Sequence, residues 1–318
     1  MRVGAFAEFG DASMMRVEHR VPPPPPRGTE LLVAVGASSV NGTDLGLRRG
    51  DLRPITWGRM PFVPGFDVAG TVVAVGSRVS AFRPGDRVAA LLPHRGGGLA
   101  EQLLLDQDRA ALVGGGVDLV TAAAVPLAGL TALQALHRVG RLPRGDHRSG
   151  SGPRVLVAGG AGGIGAYAVQ LAVLAGADVT ATTSAGKLDF VRGLGAHRVV
   201  DRRAPGALAG CGPFDLVLDA AGRHPYRDLA PALAAGGTLV TVRPLHPDVL
   251  RSLRPGGPRV AAVRTAPRSA DLTHLLHLIG TRELRAPVEH VVGLADVADA
   301  HRIAEREGRG KVVVDLTR

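Results

Sequence analysis

A glycine-rich turn between two apolar segments is the feature of this sequence with the clearest chemistry. Val155 to Val157 is a short apolar run, and Ala166 to Ala175 has the spacing of a helix. The glycines between them stand at positions 159, 160, 162, 163 and 165. Strand, glycine turn and helix form the context in which a dinucleotide pyrophosphate binds at a helix N-terminus. The alternative, a tight turn without a ligand, is disfavoured because further strand–helix units follow at regular intervals.

The residues after the second predicted strand, Asp178 to Thr182, bear on the choice of cofactor. An NAD site carries an acidic residue about 20 residues after the glycines, where it binds the ribose 2′-hydroxyl. This chain has Thr183, Ser184 and Lys187 there, and no carboxylate. Hydroxyls and a cation suit a 2′-phosphate, so the sequence predicts NADPH. Arg202, after the third strand, either adds a phosphate contact or is simply solvated.

The elements that position these residues alternate between strand and helix. Apolar runs predict strands at 155–157, 178–182, 198–200, 214–219, 238–242 and 260–263, with helices between them. This alternation is typical of an α/β fold with a doubly wound parallel sheet. The first 120 residues differ, because short strands punctuated by glycine and proline turns predict a β-rich, barrel-like domain. A polar, glycine-rich stretch from Pro143 to Pro153 predicts an exposed loop before the glycine turn.

Composition excludes several classes of protein. With 318 residues, 45% apolar and 21% charged, the chain is expected to be a soluble globular protein. Cys211 is the single cysteine, so neither a disulfide framework nor a cysteine zinc cage is possible. No apolar run is long enough to span a membrane, and Glu8 and Asp11 interrupt any signal peptide, so a cytoplasmic location is expected. The net charge of +10 comes from scattered arginines without interleaved aromatics, which argues against a nucleic-acid partner.

The order of motifs along the chain resembles the medium-chain dehydrogenase/reductase superfamily, in its zinc-independent quinone oxidoreductase (zeta-crystallin-like) branch. The similarity covers residues 1 to 318. It implies a GroES-like substrate domain over residues 1–124 and 268–318, a Rossmann NADPH-binding domain over 125–267, and a cleft between them. The matching stretches are Val40-Asn41, Pro61 to Gly70, Gly85 to Val88, Pro126 to Ala132, Gly159 to Gly165, Leu194 to Ala196, Asp219 to Gly222, Gly236-Gly237 and Arg309 to Val312.

The resemblance also implies the site residues. Zinc-dependent members carry a cysteine where Asn41 stands and a His-Glu pair where Phe66-Asp67 stand, so no metal is expected. Asn41 borders the family's cleft, and its amide is expected to donate to the oxyanion that forms during hydride transfer; a turn-stabilising asparagine is the alternative. Lys187 and Lys311 resemble phosphate contacts, although ordinary surface lysines remain the alternative. The expected cofactor-binding residues are Thr131, Gly159, Gly162, Gly163, Ile164, Gly165, Thr183, Ser184, Lys187, Arg202, Ala220, Val242 and Lys311.

The resulting functional expectation is an NADPH-dependent, zinc-independent reductase that transfers hydride to the activated C=C of an enone or quinone. Three alternatives stay open. One is an enoyl reductase or tailoring enzyme of polyketide-type metabolism, and another is an NADPH-binding protein without turnover, such as a crystallin or redox sensor. The third is an RNA-binding protein driven by charge. A homodimer is expected because Val260 to Val263 forms a candidate edge strand that would otherwise be open.

Overall fold

The chain divides into two units at residues 130/131 and 266/267. In the computed structural model, unit 1 comprises Met1–Leu130 with Pro267–Arg318, and unit 2 comprises Thr131–Ala266. The structure describes residues 1–56, 58–143, 152–208, 210–243, 259–306 and 308–318. The predicted limits, 1–124 with 268–318 and 125–267, differ from this division by a few residues. Most of the loop predicted between Pro143 and Pro153 lies outside the described residues.

The N-terminal part of unit 1 is built mainly of antiparallel strands. Its elements are β1 (Arg2–Ala5), β2 (Arg16–His19), β3 (Glu30–Val40), α1 (Gly42–Arg49), α2 (Arg53–Thr56), β4 (Asp67–Val75), β5 (Arg87–Leu91), β6 (Gln102–Asp106), β7 (Ala110–Leu112) and α3 (Leu119–Ala123). Helix α4 (Pro126–Leu133) then carries the chain into unit 2. It begins at a proline, whose missing N–H and fixed φ suit the first position of a helix.

Unit 2 is a parallel sheet with helical connections, as the alternating pattern predicts. A π-helical segment, Gln134–Val139, continues from α4. The elements that follow are β8 (Arg154–Ala158), α5 (Gly163–Leu174), β9 (Asp178–Thr183), α6 (Leu188–Arg192), β10 (Arg198–Asp201), β11 (Phe214–Asp219), α7 (Tyr226–Leu229), β12 (Leu233–Thr241) and β13 (Arg259–Ala262). The strand order is β10-β9-β8-β11-β12-β13, all parallel. This is the doubly wound dinucleotide-binding order, so the predicted fold class is confirmed.

The C-terminal segment, Pro267–Arg318, returns to unit 1 and completes its sheet. They form α8 (Ser269–Gly280), β14 (Val288–Gly293), α9 (Val297–Glu305) and β15 (Lys311–Asp315). The resulting seven-stranded sheet has the order β14-β15-β3-β4-β5-β7, with β6 also paired to β3. Helices α5 and α8 have 12 residues each, and within the described ranges no helix is long and apolar enough to span a membrane.

The register of three neighbouring strands in unit 1 brings polar side chains together. Strand β15 pairs antiparallel with β3, and Val312 lies opposite Val40. Strand β4 pairs antiparallel with the other side of β3, and Asp67 lies opposite Ser39. Residues from three distant parts of the sequence therefore meet at one end of the sheet.

Several elements extend beyond the limits that the sequence predicts. Strand β3 continues to Val40, although the apolar run from Leu31 to Val35 predicts a strand that ends at Val35. The extension carries two buried serines; the Ser38 hydroxyl donates to Asp67 O (2.7 Å) and the Ser39 hydroxyl donates to Asp67 Oδ2 (2.6 Å). Buried hydroxyls with partners cost little, and these partners lie on another strand. Local polarity therefore underestimates the length of β3.

Candidate functional site

The glycine turn of unit 2 has the geometry of an anion cradle. Gly159 follows β8 with φ of +90°, a conformation that favours glycine. A Cβ on Gly165 would lie 2.1 Å from Gly159 O, so only glycine lets α5 approach the turn this closely. Gly162 is the N-cap of α5, and no side chain caps the helix. The first amides of α5, at Gly163 and Ile164, therefore lack a side-chain cap and suit a pyrophosphate.

The turn is tied to the neighbouring strand. The N–H groups of Gly159 and Gly160 donate to Thr182 O at 3.1 and 2.9 Å. The Gly159 N–H also lies 3.3 Å from Thr182 Oγ1. These bonds hold the turn against the carboxyl end of β9. The residues predicted to select NADPH, Thr183, Ser184 and Lys187, begin there.

The structure places those residues at one edge of the sheet. Thr183 is buried at the end of β9, Ser184 and Lys187 are partly exposed beyond it, and Arg202 is exposed just after β10. The Arg202 N–H donates to Thr183 O at 2.7 Å, which fixes the two strand ends side by side. Two cations and two hydroxyls thus share this edge.

The same edge carries a carboxylate that the sequence interpretation did not weigh. Asp201 ends β10 and lies directly opposite Thr183. Its Oδ1 accepts the Arg203 N–H at 3.1 Å. The sequence signal was available, since Asp201 precedes Arg202, but only strand pairing brings it beside Thr183.

Two further predicted residues lie at the carboxyl ends of the central strands. The Ala220 N–H, just after β11, donates to Ala158 O at 3.0 Å. The Val242 N–H, just after β12, donates to Asp219 O at 3.3 Å. In a doubly wound sheet, ligands bind at this edge, where the strand order reverses between β8 and β11.

A cavity of about 720 Å³ opens at this edge within unit 2. Its lining includes Ala158, Thr182, Arg202, His224 and Asp228. A cavity of this size takes a ligand of cofactor-fragment dimensions. His224 and Asp228 were not predicted from the sequence, because they follow β11 in a segment without a recognisable motif.

Thr131 forms a hydrogen bond within unit 2. It is buried, and its Oγ1 lies 2.6 Å from Thr265 Oγ1. Close by, the Gln134 amide exchanges two hydrogen bonds of 2.9 Å with the backbone of Ala266. The predicted contact between Thr131 and the cofactor stays a prediction.

In unit 1, the end of the sheet holds a polar cluster of Ser39, Asn41, Asp67 and Lys311, which we call the Asp67 cluster; Asn41 is half-buried and the other three are buried. The Asp67 carboxylate is fully buried. Its Oδ2 accepts Ser39 Oγ (2.6 Å), Asn41 Nδ2 (2.9 Å) and Lys311 Nζ (3.4 Å). Its Oδ1 accepts the Leu127 N–H at the start of α4 (2.6 Å). Four donors compensate the cost of burying this charge.

The remaining members of the Asp67 cluster are equally engaged. Lys311 Nζ donates to Asn41 Oδ1 and to Val40 O (3.3 Å), and its side chain is 3% exposed. Asn41 Nδ2 also donates to Ser39 O at 3.2 Å. The prediction that Lys311 contacts a cofactor phosphate is therefore not supported, because its three donors are directed at protein oxygens. The alternative, an ordinary surface lysine, is wrong, because the Lys311 side chain is buried.

Asp44 lies beside the Asp67 cluster and completes the capping box at the N-terminus of α1. Its Oδ2 accepts the Asn41 N–H (2.8 Å) and its Oδ1 accepts the Gly65 N–H (2.7 Å). Burial raises the pKa of Asp44 to about 6, against the effect of these two N–H groups, which lower it. The backbone at Asn41 is therefore held by Asp44, independently of its side chain.

The donor set around Asp67 does not suit zinc. An oxygen-only set of a carboxylate, an amide and a hydroxyl is already neutralised by an ammonium group, whereas zinc prefers Cys and His ligands. In the part of the chain that the structure describes, no group of three or more His, Cys, Asp or Glu side chains lies close enough together to hold a metal ion.

Two family models match parts of this chain. Residues 27–122 match the family described as alcohol dehydrogenase GroES-like domain, and residues 194–314 match the family described as zinc-binding dehydrogenase. The chloroplast envelope quinone oxidoreductase homolog of Arabidopsis thaliana is 33% identical over 312 residues, covering 94% of each chain. The quinone oxidoreductase structure from Coxiella burnetii superposes with a TM-score of 0.91 at 27% identity, covering 99% of each chain.

A second relative is similar to this chain over only part of the relative's length. The chloroplastic NADPH-dependent alkenal/one oxidoreductase of Arabidopsis thaliana is 33% identical over 231 residues, which cover 70% of this chain and 58% of the relative. The chain belongs to the medium-chain dehydrogenase/reductase superfamily, in its quinone oxidoreductase branch. It is an oxidoreductase that uses a nicotinamide cofactor and a small-molecule substrate.

Proposed function

We propose that this protein is an NADPH-dependent reductase that transfers hydride to the activated C=C of an enone or quinone, without zinc. The observation that carries the proposal is the glycine turn of unit 2, with an uncapped α5 and with Lys187 and Arg202 at the same sheet edge. The pyrophosphate is held by the turn and the first amides of α5. The 2′-phosphate is held at the end of β9 by Lys187 and the hydroxyls of Thr183 and Ser184.

When bound, the cofactor would supply the hydride that adds to the β-carbon of the substrate, and the remaining steps would fall to the protein and to solvent. Negative charge develops on the substrate carbonyl oxygen and requires hydrogen-bond donors that are already in place. Asn41 is the candidate donor in unit 1. Both of its Nδ2 hydrogens donate within the protein, to Asp67 Oδ2 at 2.9 Å and to Ser39 O at 3.2 Å. A substrate oxygen would have to share or displace the longer bond, the one to Ser39 O. Solvent supplies the final proton.

The substrate class rests on the relatives. The Arabidopsis thaliana relatives are described as a quinone oxidoreductase homolog and as an NADPH-dependent alkenal/one oxidoreductase. Both descriptions concern conjugated carbonyl compounds, in which hydride addition to carbon leaves charge on oxygen. The test is NADPH oxidation with a panel of quinones, enones and enoyl thioesters. Turnover of thioesters alone would favour the polyketide-type enoyl reductase, and NADPH binding without turnover of any compound would favour a crystallin- or sensor-like protein.

We expect the protein to bind NADPH at least about tenfold more tightly than NADH. One charge-assisted hydrogen bond to the 2′-phosphate contributes roughly 1.5–3 kcal/mol. Lys187→Ala should weaken NADPH binding by that factor and leave NADH binding nearly unchanged, as measured by fluorescence titration of both cofactors. Arg192→Ala is the matched control, since this exposed arginine on α6 pairs with Asp189 at 2.6 Å. Equal affinities of the wild-type protein for the two cofactors would overturn the 2′-phosphate assignment, and Asp201 would then be the candidate ribose ligand.

Turnover is expected to survive removal of metal ions. The Asp67 cluster already contains its own cation, Lys311, and offers oxygen atoms alone, so no Lewis acid is needed to balance Asp67. The measurement compares kcat before and after prolonged chelation, with elemental analysis of the treated protein. Loss of activity that added zinc restores would contradict the proposal.

A homodimer is expected to form through strand β13. This strand ends the parallel sheet of unit 2, and a second copy pairing along it would complete the N–H and C=O row. Light scattering at micromolar concentration should give twice the 32.7 kDa chain mass. Val260→Pro removes one edge N–H and should shift the mass toward the monomer, whereas Leu112→Pro at β7, the edge of the other sheet, should not. A monomeric wild-type protein would refute this assembly.

A further inference from the structure

Lys311 is one of the two lysines of the chain, and it is the buried one. Its ammonium group points at Asn41 Oδ1, at Val40 O (3.3 Å) and at Asp67 Oδ2 (3.4 Å). A lysine ammonium has three donors and no acceptor, so these oxygens account for its whole hydrogen-bonding capacity. All three donors of Lys311 are therefore directed at protein oxygens, which points to a role other than cofactor binding.

The charges around Lys311 come from two elements. Asp67, at the start of β4, and Asp44, on α1, are the carboxylates that face it. Burial lowers the pKa of Lys311, and the two carboxylates oppose this by favouring its charged form. The ammonium and the Asp67 carboxylate therefore stabilise each other across the Asn41 side chain, which contacts both.

The two charges leave the Asn41 amide a single orientation. An amide can be turned by 180° so that its oxygen and nitrogen exchange places. Here the oxygen must face the lysine, which can only donate, and the nitrogen must face the carboxylate, which can only accept. A turned amide would place an N–H against the ammonium and an oxygen against Asp67. Each charge thus disfavours the turned amide independently.

We infer that Lys311 is a positioning residue: it holds the Asn41 amide with its N–H groups on the Asp67 and Ser39 side, where they serve the proposed reduction. This inference rests on the proposed function as far as kinetics are concerned. Hydrogen bonds from an ammonium to the amide oxygen also polarise the amide and strengthen its N–H groups as donors. Lys311 then acts through Asn41 and does not itself touch the substrate.

The orientation can be measured without any substrate. Asn41 is the only asparagine of the chain, so protein labelled with ¹⁵N in asparagine side chains gives a single pair of amide signals. Lys311→Met keeps an unbranched side chain, one heavy atom shorter, and removes the charge, and it should move this pair. Lys187→Met, which changes the other lysine, should leave the pair in place. An unchanged pair in the Lys311→Met protein would overturn the inference.

The kinetic arm separates positioning from simple stabilisation. Lys311→Met should lower kcat by about 10–100-fold, the order expected for a misplaced catalytic group, with little change in NADPH affinity. Lys311→Arg should recover part of kcat because it restores the charge. Arg83→Met, which removes a highly exposed positive charge in the same unit, should behave like the wild type.

A double variant separates a role of Lys311 in positioning Asn41 from a role in folding stability. Lys311→Met alone leaves Asp67 buried without its ammonium partner, which lowers the melting temperature. Lys311→Met combined with Asp67→Asn removes both charges and should recover much of the melting temperature, but neither kcat nor the wild-type amide signals. Recovery of kcat together with stability would show that Lys311 is purely structural. If the wild-type protein turned over none of the panel compounds, the proposed function would fail, and the amide signals alone would decide the role of Lys311.

Discussion

Asn41→Ala is expected to lower kcat by about 10–1000-fold, the range found when an oxyanion donor is removed. The variant also leaves Lys311 Nζ and Asp67 Oδ2 with one partner fewer, so the melting temperature should fall. Both groups keep other partners, so the loss is that of two hydrogen bonds to charged groups, which contribute about 1.5–3 kcal/mol each. NADPH affinity should hardly change, because the glycine turn belongs to the other unit.

Asn41→Asp should be at least as damaging as Asn41→Ala. The new carboxylate would lie where Asn41 Nδ2 now approaches Asp67 Oδ2 at 2.9 Å, and it would repel both Asp67 and the forming oxyanion. Measurement of kcat, NADPH affinity and melting temperature on both variants tests this. Asp118→Ala is the matched control: Asp118 is also an N-cap, accepting the Thr121 N–H at 2.8 Å, and its loss should lower stability alone. Normal kcat per folded molecule in Asn41→Ala would reduce Asn41 to a residue that stabilises its turn.

Gly165→Ala is expected to abolish tight NADPH binding and to destabilise unit 2. The added Cβ would lie 2.1 Å from Gly159 O and 2.9 Å from Gly160 Cα, and both are backbone atoms that no side-chain rotation can move. The turn must shift away from α5. Overpacking of this kind costs about 1–3 kcal/mol, and displacement of the phosphate cradle should weaken NADPH by more than about tenfold.

Gly162→Ala separates the ligand effect from the effect on folding. A Cβ at Gly162 would meet only Gly159 O, at 3.6 Å, and its φ of −71° suits any residue. The variant should therefore keep its melting temperature and lose NADPH affinity, because the Cβ stands where the pyrophosphate reaches the amides of α5. Gly114→Ala, at an exposed glycine with nothing within 4 Å of the new Cβ, should change neither. Unchanged NADPH affinity in Gly162→Ala would remove the α5 N-terminus from the cofactor site.

Much of unit 2 follows from local sequence. Runs of three to six residues, glycines after β8 and helical spacing in α5 are short-range properties, and they predicted most of the parallel strands to within a few residues. Because parallel strands end at one edge, residue order alone also brought Gly159, Thr183 and Arg202 to the same side. The detailed limits of β3 and β12 were wrong, since Ser38, Ser39 and the start of β12 are polar or small, and their strand pairing depends on distant partners.

Only the tertiary structure decided the environment of Lys311, Asn41 and Asp201. Lys311 lies 270 positions from Asn41, and sequence spacing carries no information on a contact of that range. From the sequence alone, a lysine is expected to be exposed, because burying an ammonium group is unfavourable unless a carboxylate pairs with it. That carboxylate, Asp67, becomes its partner through the antiparallel pairing of β3 with both β4 and β15. By itself, the sequence determined the glycine turn of unit 2 and the fold class. Strand pairing over long distances decided which charges meet, and hence that Lys311 donates to the Asn41 amide oxygen.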